Sequence, residues 1–144
     1  MHFQQPWRAL IEQRQPFKQK WAGLWDLSAA GSAVSGENSR DAAERETREE
    51  LGLEIDLGNA RPVLTIHWEK GFDDIYVYTM DIHTEKLKLQ PEEVCAVRWA
   101  SLEEILPMVD SGTFIPYEKS FIELLFSLHL HRDIHSRPDV SDLK

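Results

Sequence analysis

GSAVSGENSRDAAERETREELGL, residues 31–53, contains acidic side chains at regular spacing. Glu46, Glu49 and Glu50 are three and four positions apart, so a helix would place their carboxylates on one face. Like charges at this spacing weaken an isolated helix by about 0.2–0.5 kcal/mol per pair. A hard divalent cation such as Mg²⁺ or Mn²⁺ prefers carboxylate oxygen and would offset this repulsion. The spacing therefore predicts a helix that binds metal through one face.

Both ends of this helix are marked in the sequence. Asn38 has the side chain of an N-cap, and Asp41 places negative charge in the first turn. No glycine or proline interrupts residues 39–51. Gly52 suits the left-handed position that follows a helix, and Leu53 supplies the usual hydrophobic contact. The sequence thus predicts a loop, a helix over 39–51 and a glycine stop.

This stretch resembles the Nudix box, whose pattern is G-x5-E-x7-R-E-U-x-E-E-x-G-U with U a bulky aliphatic residue. Thr47 stands at the first U and is the one departure. Eight residues fall on pattern positions: Gly31, Glu37, Arg45, Glu46, Glu49, Glu50, Gly52 and Leu53. The resemblance implies an α/β/α sandwich with a mixed sheet, a Nudix-type α/β (α+β) fold.

The resemblance also implies roles for these residues. Glu46, Glu49 and Glu50 would hold Mg²⁺ or Mn²⁺, and Glu46 or a carboxylate outside the box would activate water. Arg45 would act at the catalytic centre by orienting the carboxylates. Supporting roles are implied for Gly31, Glu37 and Gly52. The metals would neutralise a diphosphate, polarise its phosphorus and lower the pKa of bound water.

Outside the box the candidates are weaker. Glu93 precedes an apolar strand and is a candidate base, although a charged loop before a strand is an equally good interpretation. Candidate substrate contacts are two cations and two aromatic side chains, Lys18, Lys20, Trp21 and Trp68. Solvated loop lysines and packed tryptophans are commoner than substrate-binding ones.

Composition limits the class of protein. The 144 residues predict a single domain over 1–132, followed by a polar tail over 133–144. A net charge of −9 without a Lys/Arg-rich block argues against a nucleic-acid polymer as partner. Cys95 is the only cysteine, which argues against a disulfide framework and favours the cytoplasm. No apolar run approaches the length of a membrane span, roughly 18 residues.

Strand patterns alternate with helices along the chain. The strand patterns cover residues 9–14, 24–29, 61–68, 74–84 and 94–100, and helices are expected over 39–51, after Ser101 and over 117–132. Nudix domains usually have another apolar strand ahead of the one at 9–14, where this chain has only MHFQQPWR. This N-terminal strand is therefore expected to be missing, or its place to be taken by a partner in a homodimer.

The predicted function is hydrolysis of a diphosphate linkage in a small molecule, a nucleoside diphosphate joined to another group. Residues 13–32, QRQPFKQKWAGLWDLSAAGS, resemble Nudix proteins close to isopentenyl-diphosphate isomerase. That isomerase needs a cysteine ahead of the box and a histidine-rich metal site, whereas residues 25–32 contain neither cysteine nor histidine. An isomerase-like protein is the first alternative, and a non-catalytic Nudix-fold binding module is the second. The sequence leaves the particular diphosphate open.

Overall fold

The computed structural model describes residues 1–4, 7–28 and 36–130. Its strands and helices follow each other along the chain as β1 (His2–Gln4), β2 (Arg8–Arg14), β3 (Trp25–Leu27), α1 (Ser39–Leu51), β4 (Leu64–Trp68), β5 (Gly71–Ile75), β6 (Tyr78–Thr79), β7 (Val94–Ala100), α2 (Leu102–Ser111) and α3 (Lys119–Leu130). A single 3₁₀ turn at Thr84–Lys86 lies between β6 and β7.

Strand β2 is the centre of the main sheet. It pairs antiparallel with β7 along one side. Its other side is shared, because β1 pairs with its first residues and β3 with its later ones, both antiparallel. Strand β1 also pairs in parallel with β6, so the sheet is mixed. Strands β4 and β5 form a separate antiparallel hairpin.

The two faces of the main sheet contact different helices. Phe3 and Ile11 point into the core that contains residues of α2 and α3. His2 faces the other way, where its Nε2 lies 3.3 Å from the Thr47 Oγ1 of α1. By strand alternation Leu10 and Glu12 share that second face. The molecule is thus an α/β/α sandwich with a mixed sheet, and the predicted fold class is confirmed.

Helix α1 begins and ends where its sequence predicts. Asn38 Oδ1 accepts a hydrogen bond of 2.8 Å from the Asp41 N–H. Gly52 has a φ of 64°, and its N–H donates to the Arg48 carbonyl at 2.9 Å. Local capping chemistry therefore fixes both boundaries of the element that carries the box carboxylates.

The prediction of one strand over 74–84 is wrong. Gly71–Ile75 pairs with β4, whereas Tyr78–Thr79 pairs with β1 in the main sheet. The chain leaves the hairpin between these two strands and carries Val77 into the core. Period-two alternation detects extended backbone but cannot identify its partner strand.

Two other expectations differ from the structure in extent. His2–Gln4 forms a three-residue strand, with Phe3 fully buried, where an apolar strand was expected to be missing. The last helix begins at Lys119, two residues later than expected, and its described part ends at Leu130. The predicted tail over 133–144 lies outside the described residues.

Candidate active site

Arg45 joins three carboxylates of the box region. Its Nε donates to Glu37 Oε1 at 2.7 Å, and its Nη1 lies 2.9 Å from Glu46 Oε1 and 3.0 Å from Glu49 Oε2. The hydrogen bond to Glu37 is the main cause that raises the pKa of Arg45 above its ordinary value. Arg45 therefore fixes the direction in which Glu46 and Glu49 point, as an orienting residue would.

Glu50 occupies a different environment on the same helix. Its side chain is buried, and its Oε2 has no hydrogen-bond partner among the described residues. Burial raises the pKa of Glu50 well above its ordinary value, and the charge of Glu12 and a hydrogen bond with it raise this pKa further. The charges of Glu46 and Glu93 act in the same direction. Negative charge is therefore concentrated around a buried carboxyl group.

Glu93 and Lys18 form an ion pair at the edge of this cluster. Lys18 Nζ lies 2.5 Å from Glu93 Oε2. Backbone bonds hold the loop of Glu93 in place, because the Gln15 N–H donates to its carbonyl at 3.1 Å. Glu93 therefore lies beside the box carboxylates. Lys18, a predicted substrate contact, binds Glu93 instead.

The carboxylates fit a hard divalent cation in their chemistry. Within residues 1–4, 7–28 and 36–130, no three acidic, histidine or cysteine side chains are gathered as a ready-made metal shell. Arg45 instead contacts Glu46 and Glu49, and Lys18 contacts Glu93. The buried Oε2 of Glu50 nevertheless lacks a donor, and an oxygen of this kind is a ligand that Mg²⁺ and Mn²⁺ favour.

A cleft of about 1410 Å³ adjoins the acidic cluster. Glu37 lines it and connects it to Arg45, and Thr47 lines it one helical turn before Glu50. Cationic and aromatic side chains from the loop after β2 and from the β4–β5 hairpin also line it: Arg14, Lys20, Trp21, Trp68, Lys70 and Phe72. Three of the four predicted substrate contacts, Lys20, Trp21 and Trp68, therefore line one cleft.

Trp21 and Trp68 are not core residues. Trp21 is 48% exposed and Trp68 is 52% exposed. Trp21 also has a φ of 55°, a left-handed conformation that non-glycine residues rarely adopt. Exposed aromatic faces beside cations suit a ligand that is both flat and anionic.

A buried hydrogen bond connects the sheet to the segment before α3. Tyr117 Oη donates to Asp26 Oδ1 at 2.6 Å. Burial raises the pKa of Asp26, while this hydrogen bond lowers it. Burial also raises the pKa of Tyr117, followed by the charge of Asp26. Since Tyr117 lines the cleft, this bond anchors one of its walls to β3.

The two box glycines differ in what the structure shows. Gly31, with the neighbouring Ala30 carbonyl, lies outside the described residues. Gly52 lies against the segment after the 3₁₀ turn, where a Cβ at its position would be 2.6 Å from Lys88 Cβ. The Lys88 and Gln90 N–H groups donate to the Leu51 and Glu50 carbonyls, both at 2.9 Å. A glycine is therefore needed for this close approach to the end of α1.

Sequence reasoning missed Glu12, Arg14, Lys70 and Phe72. Glu12 could have been found, because it directly follows the apolar run over residues 9–11 of a predicted strand, and in the structure it is only 6% exposed. A carboxylate at a core position is a signal for function. The contribution of Lys70 and Phe72 depends on how the hairpin folds over the cleft, for which the sequence has no local signal.

The chain is similar to known proteins that share one domain family. The NUDIX domain model matches residues 4–123. The Nudix hydrolase lin0387 of Listeria innocua is 47% identical over 133 residues, which are 92% of this chain and 78% of that protein. An isopentenyl-diphosphate Delta-isomerase of Citrobacter koseri is 30% identical over 111 residues, covering 72% of this chain and 60% of the isomerase.

Solved structures give the same result for the fold. The DR0079 protein of Deinococcus radiodurans superposes with a TM-score of 0.67 at 26% identity, covering 78% of this chain and 70% of its own. A MutT protein of Methanosarcina mazei Go1 has a TM-score of 0.67 at 23% identity and covers 91% of both chains, which bears on the fold alone. With the box carboxylates on α1 and these matches, the chain belongs to the NUDIX domain family.

Proposed function

We propose that this protein is a divalent-metal-dependent hydrolase of a diphosphate linkage in a small molecule. The observation that carries the proposal is the buried Glu50 carboxyl, with an oxygen that has no described hydrogen-bond partner, beside carboxylates that Arg45 orients. Such a group costs stability unless it acquires a partner, and a cation would be that partner. An ordinary charged surface helix keeps its carboxylates in solvent, whereas α1 buries the carboxyl group of Glu50.

Each residue of the cluster would have a separate part in the reaction. Glu46, Glu49 and Glu50 would hold Mg²⁺ or Mn²⁺, and the bound metal would neutralise the diphosphate and lower the pKa of bound water. Glu37 and Arg45 would keep Glu46 and Glu49 in place. Either Glu46 or Glu93 would accept the proton of the attacking water. The displacement at phosphorus is then in line, and positioning with charge stabilisation supplies most of the rate.

The cleft supports a nucleoside diphosphate joined to another group as the substrate class. Arg14, Lys20 and Lys70 offer positive charge to phosphates, which an overall charge of −9 otherwise opposes. Trp21 and Trp68 offer flat apolar faces on which a base can stack. A volume of about 1410 Å³ accommodates more than an inorganic diphosphate.

The isomerase is the second candidate, because isopentenyl-diphosphate isomerases are among the relatives. Cys95 is on β7, where its Sγ donates to Gln13 Oε1 at 3.5 Å, and it is not among the described residues that line the cleft. The segment ahead of the box contains no cysteine or histidine over residues 25–32. These facts favour hydrolysis over carbon protonation.

The test is a panel of diphosphates incubated with Mg²⁺ or Mn²⁺ and scored for phosphate or nucleotide release. The panel contains ADP-ribose, coenzyme A, an oxidised nucleotide, a dinucleoside polyphosphate and isopentenyl diphosphate, the last also scored for isomerisation by NMR. Metal-dependent release from a nucleoside diphosphate derivative is the expected result. Isomerisation of isopentenyl diphosphate without hydrolysis of any member would overturn the proposal.

Trp21→Ala tests the substrate class. Loss of the stacking face should raise KM about 10-fold or more, as stacked bases are worth about 1–3 kcal/mol, with little change in kcat. Phe17→Ala is the control, because Phe17 is exposed on the same loop and is not among the described cleft residues. An unchanged KM for Trp21→Ala would argue against stacking at this position.

Three sequence predictions stay proposals: a single domain over 1–132, a cytoplasmic location and a homodimer. Among the described residues, no helix is both long and apolar enough to cross a membrane. Sizing with light scattering tests the dimer, and a monodisperse monomer would refute it.

A further inference from the structure

One face of the β4–β5 hairpin carries an apolar row from the core into the cleft. Leu64, Ile66 and Trp68 form this inner face, because they alternate along β4. Leu64 packs against the core, Ile66 is half-buried beside the cleft, and Trp68 is 52% exposed in it. Trp68 is paired across the hairpin with Gly71, which has no side chain. The cross-strand neighbour of Trp68 therefore does not cover its ring.

Asp73 lies on the same inner face. It is paired with Ile66, and residues directly opposite each other in an antiparallel pair have side chains on one face. Trp68 is its diagonal neighbour on that face, and such neighbours are about 7–8 Å apart. Both side chains line the cleft. A flat group stacked on the Trp68 indole would thus have its edge beside the Asp73 carboxylate.

The two aspartates of β5 differ in their contacts. Asp74 accepts a hydrogen bond of 2.6 Å from Thr65 Oγ1, and its side chain also bonds with Ser39. Asp73 is exposed, and no described residue forms a hydrogen bond or an ion pair with its carboxylate. The carboxylate oxygens of Asp73 are therefore accessible to a ligand in the cleft, whereas Asp74 binds within the protein.

The other end of the hairpin is fixed beside the box helix. Tyr76 follows β5 directly, and its Oη lies 2.8 Å from the Oγ of Ser39, the first residue of α1. Ile75 packs against the core. Glu37 and Ser39 line the same cleft as the inner face of the hairpin. A ligand with its diphosphate at the carboxylates of α1 would therefore extend toward this inner face within one cleft.

We propose that Trp68 and Asp73 form a guanine-recognition subsite, in which the base stacks on the indole and the carboxylate accepts hydrogen bonds from its edge. A carboxylate has two acceptor oxygens and no donor. Guanine presents two adjacent donors, N1–H and the 2-amino group. Adenine and cytosine have an acceptor beside their amino group, and uracil has one N–H between two carbonyls, so only guanine binds both oxygens at once. The inference deepens the proposed function and rests on it for a nucleoside diphosphate as the substrate.

The competing interpretation is that Asp73 is a solvated carboxylate that only repels anionic ligands. Its neutralisation would then raise the affinity for every nucleotide. Neutralisation of Glu69 would do the same, because Glu69 is exposed on the same hairpin and is not among the described residues that line the cleft. A recognition role predicts a loss of affinity for guanine alone. The two interpretations therefore differ in base preference.

The experiment measures Kd by calorimetry, with Mg²⁺ present, for the uncleavable α,β-methylene analogues of GDP, IDP and ADP. Wild type should bind the GDP analogue about 10-fold or more tightly than the ADP analogue, the usual worth of a bidentate base contact. The IDP analogue lacks the 2-amino group and should fall between them. Asp73→Asn should remove most of this preference, because an amide offers only one acceptor atom. Glu69→Gln, the charge control, should keep it.

Trp68→Ala separates stacking from edge recognition. It should weaken binding of all three analogues by similar factors of about 10-fold or more, because stacking does not depend on the identity of the base. His67→Ala is the control, since His67 points to the opposite face of β4 and is not among the described cleft residues. Circular dichroism checks the fold of each variant.

Equal wild-type affinity for the GDP and ADP analogues, or a guanine preference that survives in Asp73→Asn, would overturn this inference and leave the proposed function intact. Binding of none of the analogues, with hydrolysis of some other diphosphate, would also overturn it. Binding of none, together with no release from any diphosphate of the panel, would overturn the proposed function itself.

Discussion

At the scale of single residues, the environment of each glutamate on α1 differs although the spacing is regular. Glu49 is 44% exposed and pairs with Arg45, whereas Glu50 is buried and shares a hydrogen bond with Glu12. The fixed spacing of the box identified these carboxylates, but it did not distinguish the exposed Glu49 from the buried Glu50. Glu12 could not be assigned in that way, because its contact with Glu50 depends on how β2 packs against α1.

Arg45→Ala should lower kcat about 10- to 100-fold, the usual loss when an orienting partner of metal ligands is removed. The reason is that Glu37, Glu46 and Glu49 lose their common donor and repel one another. Steady-state kinetics at saturating Mg²⁺ measures the effect, with circular dichroism to check the fold.

Arg48→Ala is the matched control for Arg45→Ala. Arg48 is exposed on the same helix and its closest acidic partner, Glu54, is 3.9 Å away. Its removal should leave kcat unchanged, because exposed ion pairs contribute little. Equal losses in both variants would mean that Arg45 acts through helix stability or net charge rather than by orienting carboxylates.

At the scale of elements, the sequence predicted the bounds of α1 correctly. It did not predict how the strands within residues 71–79 pair. Asn38, Asp41 and Gly52 act within one turn of the helix ends, so the sequence alone identifies them. The division of residues 71–79 between the hairpin and the main sheet depends on β1, which is far away in sequence. Capping is local chemistry, whereas strand pairing is decided by packing.

Gly52→Ala should destabilise the protein more than Gly112→Ala. Both glycines end a helix in the left-handed region, with φ of 64° and 79°, where a Cβ costs about 1–2 kcal/mol. At Gly52 the new Cβ would also meet Lys88 Cβ at 2.6 Å, whereas at Gly112 no atom of the described residues lies within 4 Å. Crowding of this kind adds about 1–3 kcal/mol.

Urea unfolding of the two glycine variants measures the difference in free energy of unfolding. Equal losses at both positions would show that the segment carrying Lys88 moves aside freely, and that Gly52 is needed only for its backbone conformation.

At the scale of the whole molecule, burial of His2 between the sheet and α1 makes stability depend on pH. Burial lowers the pKa of His2 well below its ordinary value. In the unfolded chain this pKa is about 6.5. Below that pH the unfolded chain takes up a proton that the native state does not, so the free energy of unfolding falls as pH falls.

His2→Gln removes this titration and keeps a polar side chain opposite Thr47. The difference in free energy of unfolding between wild type and His2→Gln, measured in a chelator, should be constant above about pH 7.5 and shift in favour of the variant below about pH 6.5. Urea midpoints from pH 8 to pH 5 measure it. A difference that does not change with pH would contradict a neutral, buried His2.

The arrangement of the whole molecule also explains what the sequence could predict about function. The box could be recognised from the sequence because Arg45 and its three glutamates lie close together on one helix. The cleft takes residues from the loop after β2, the β4–β5 hairpin and the segment before α3, and these meet only in the folded chain. Substrate choice therefore depends on non-local packing, which the sequence pattern does not reveal.

The most direct measurement is the metal dependence of diphosphate hydrolysis in wild type and Glu50→Gln, after chelation and stepwise return of Mn²⁺. Wild-type turnover should vanish in chelator and return with Mn²⁺, whereas Glu50→Gln should stay folded and about 100- to 1000-fold slower, the usual loss of one stabilising group. Turnover that persists in chelator, or near-wild-type rates in folded Glu50→Gln, would contradict metal-dependent hydrolysis at this site.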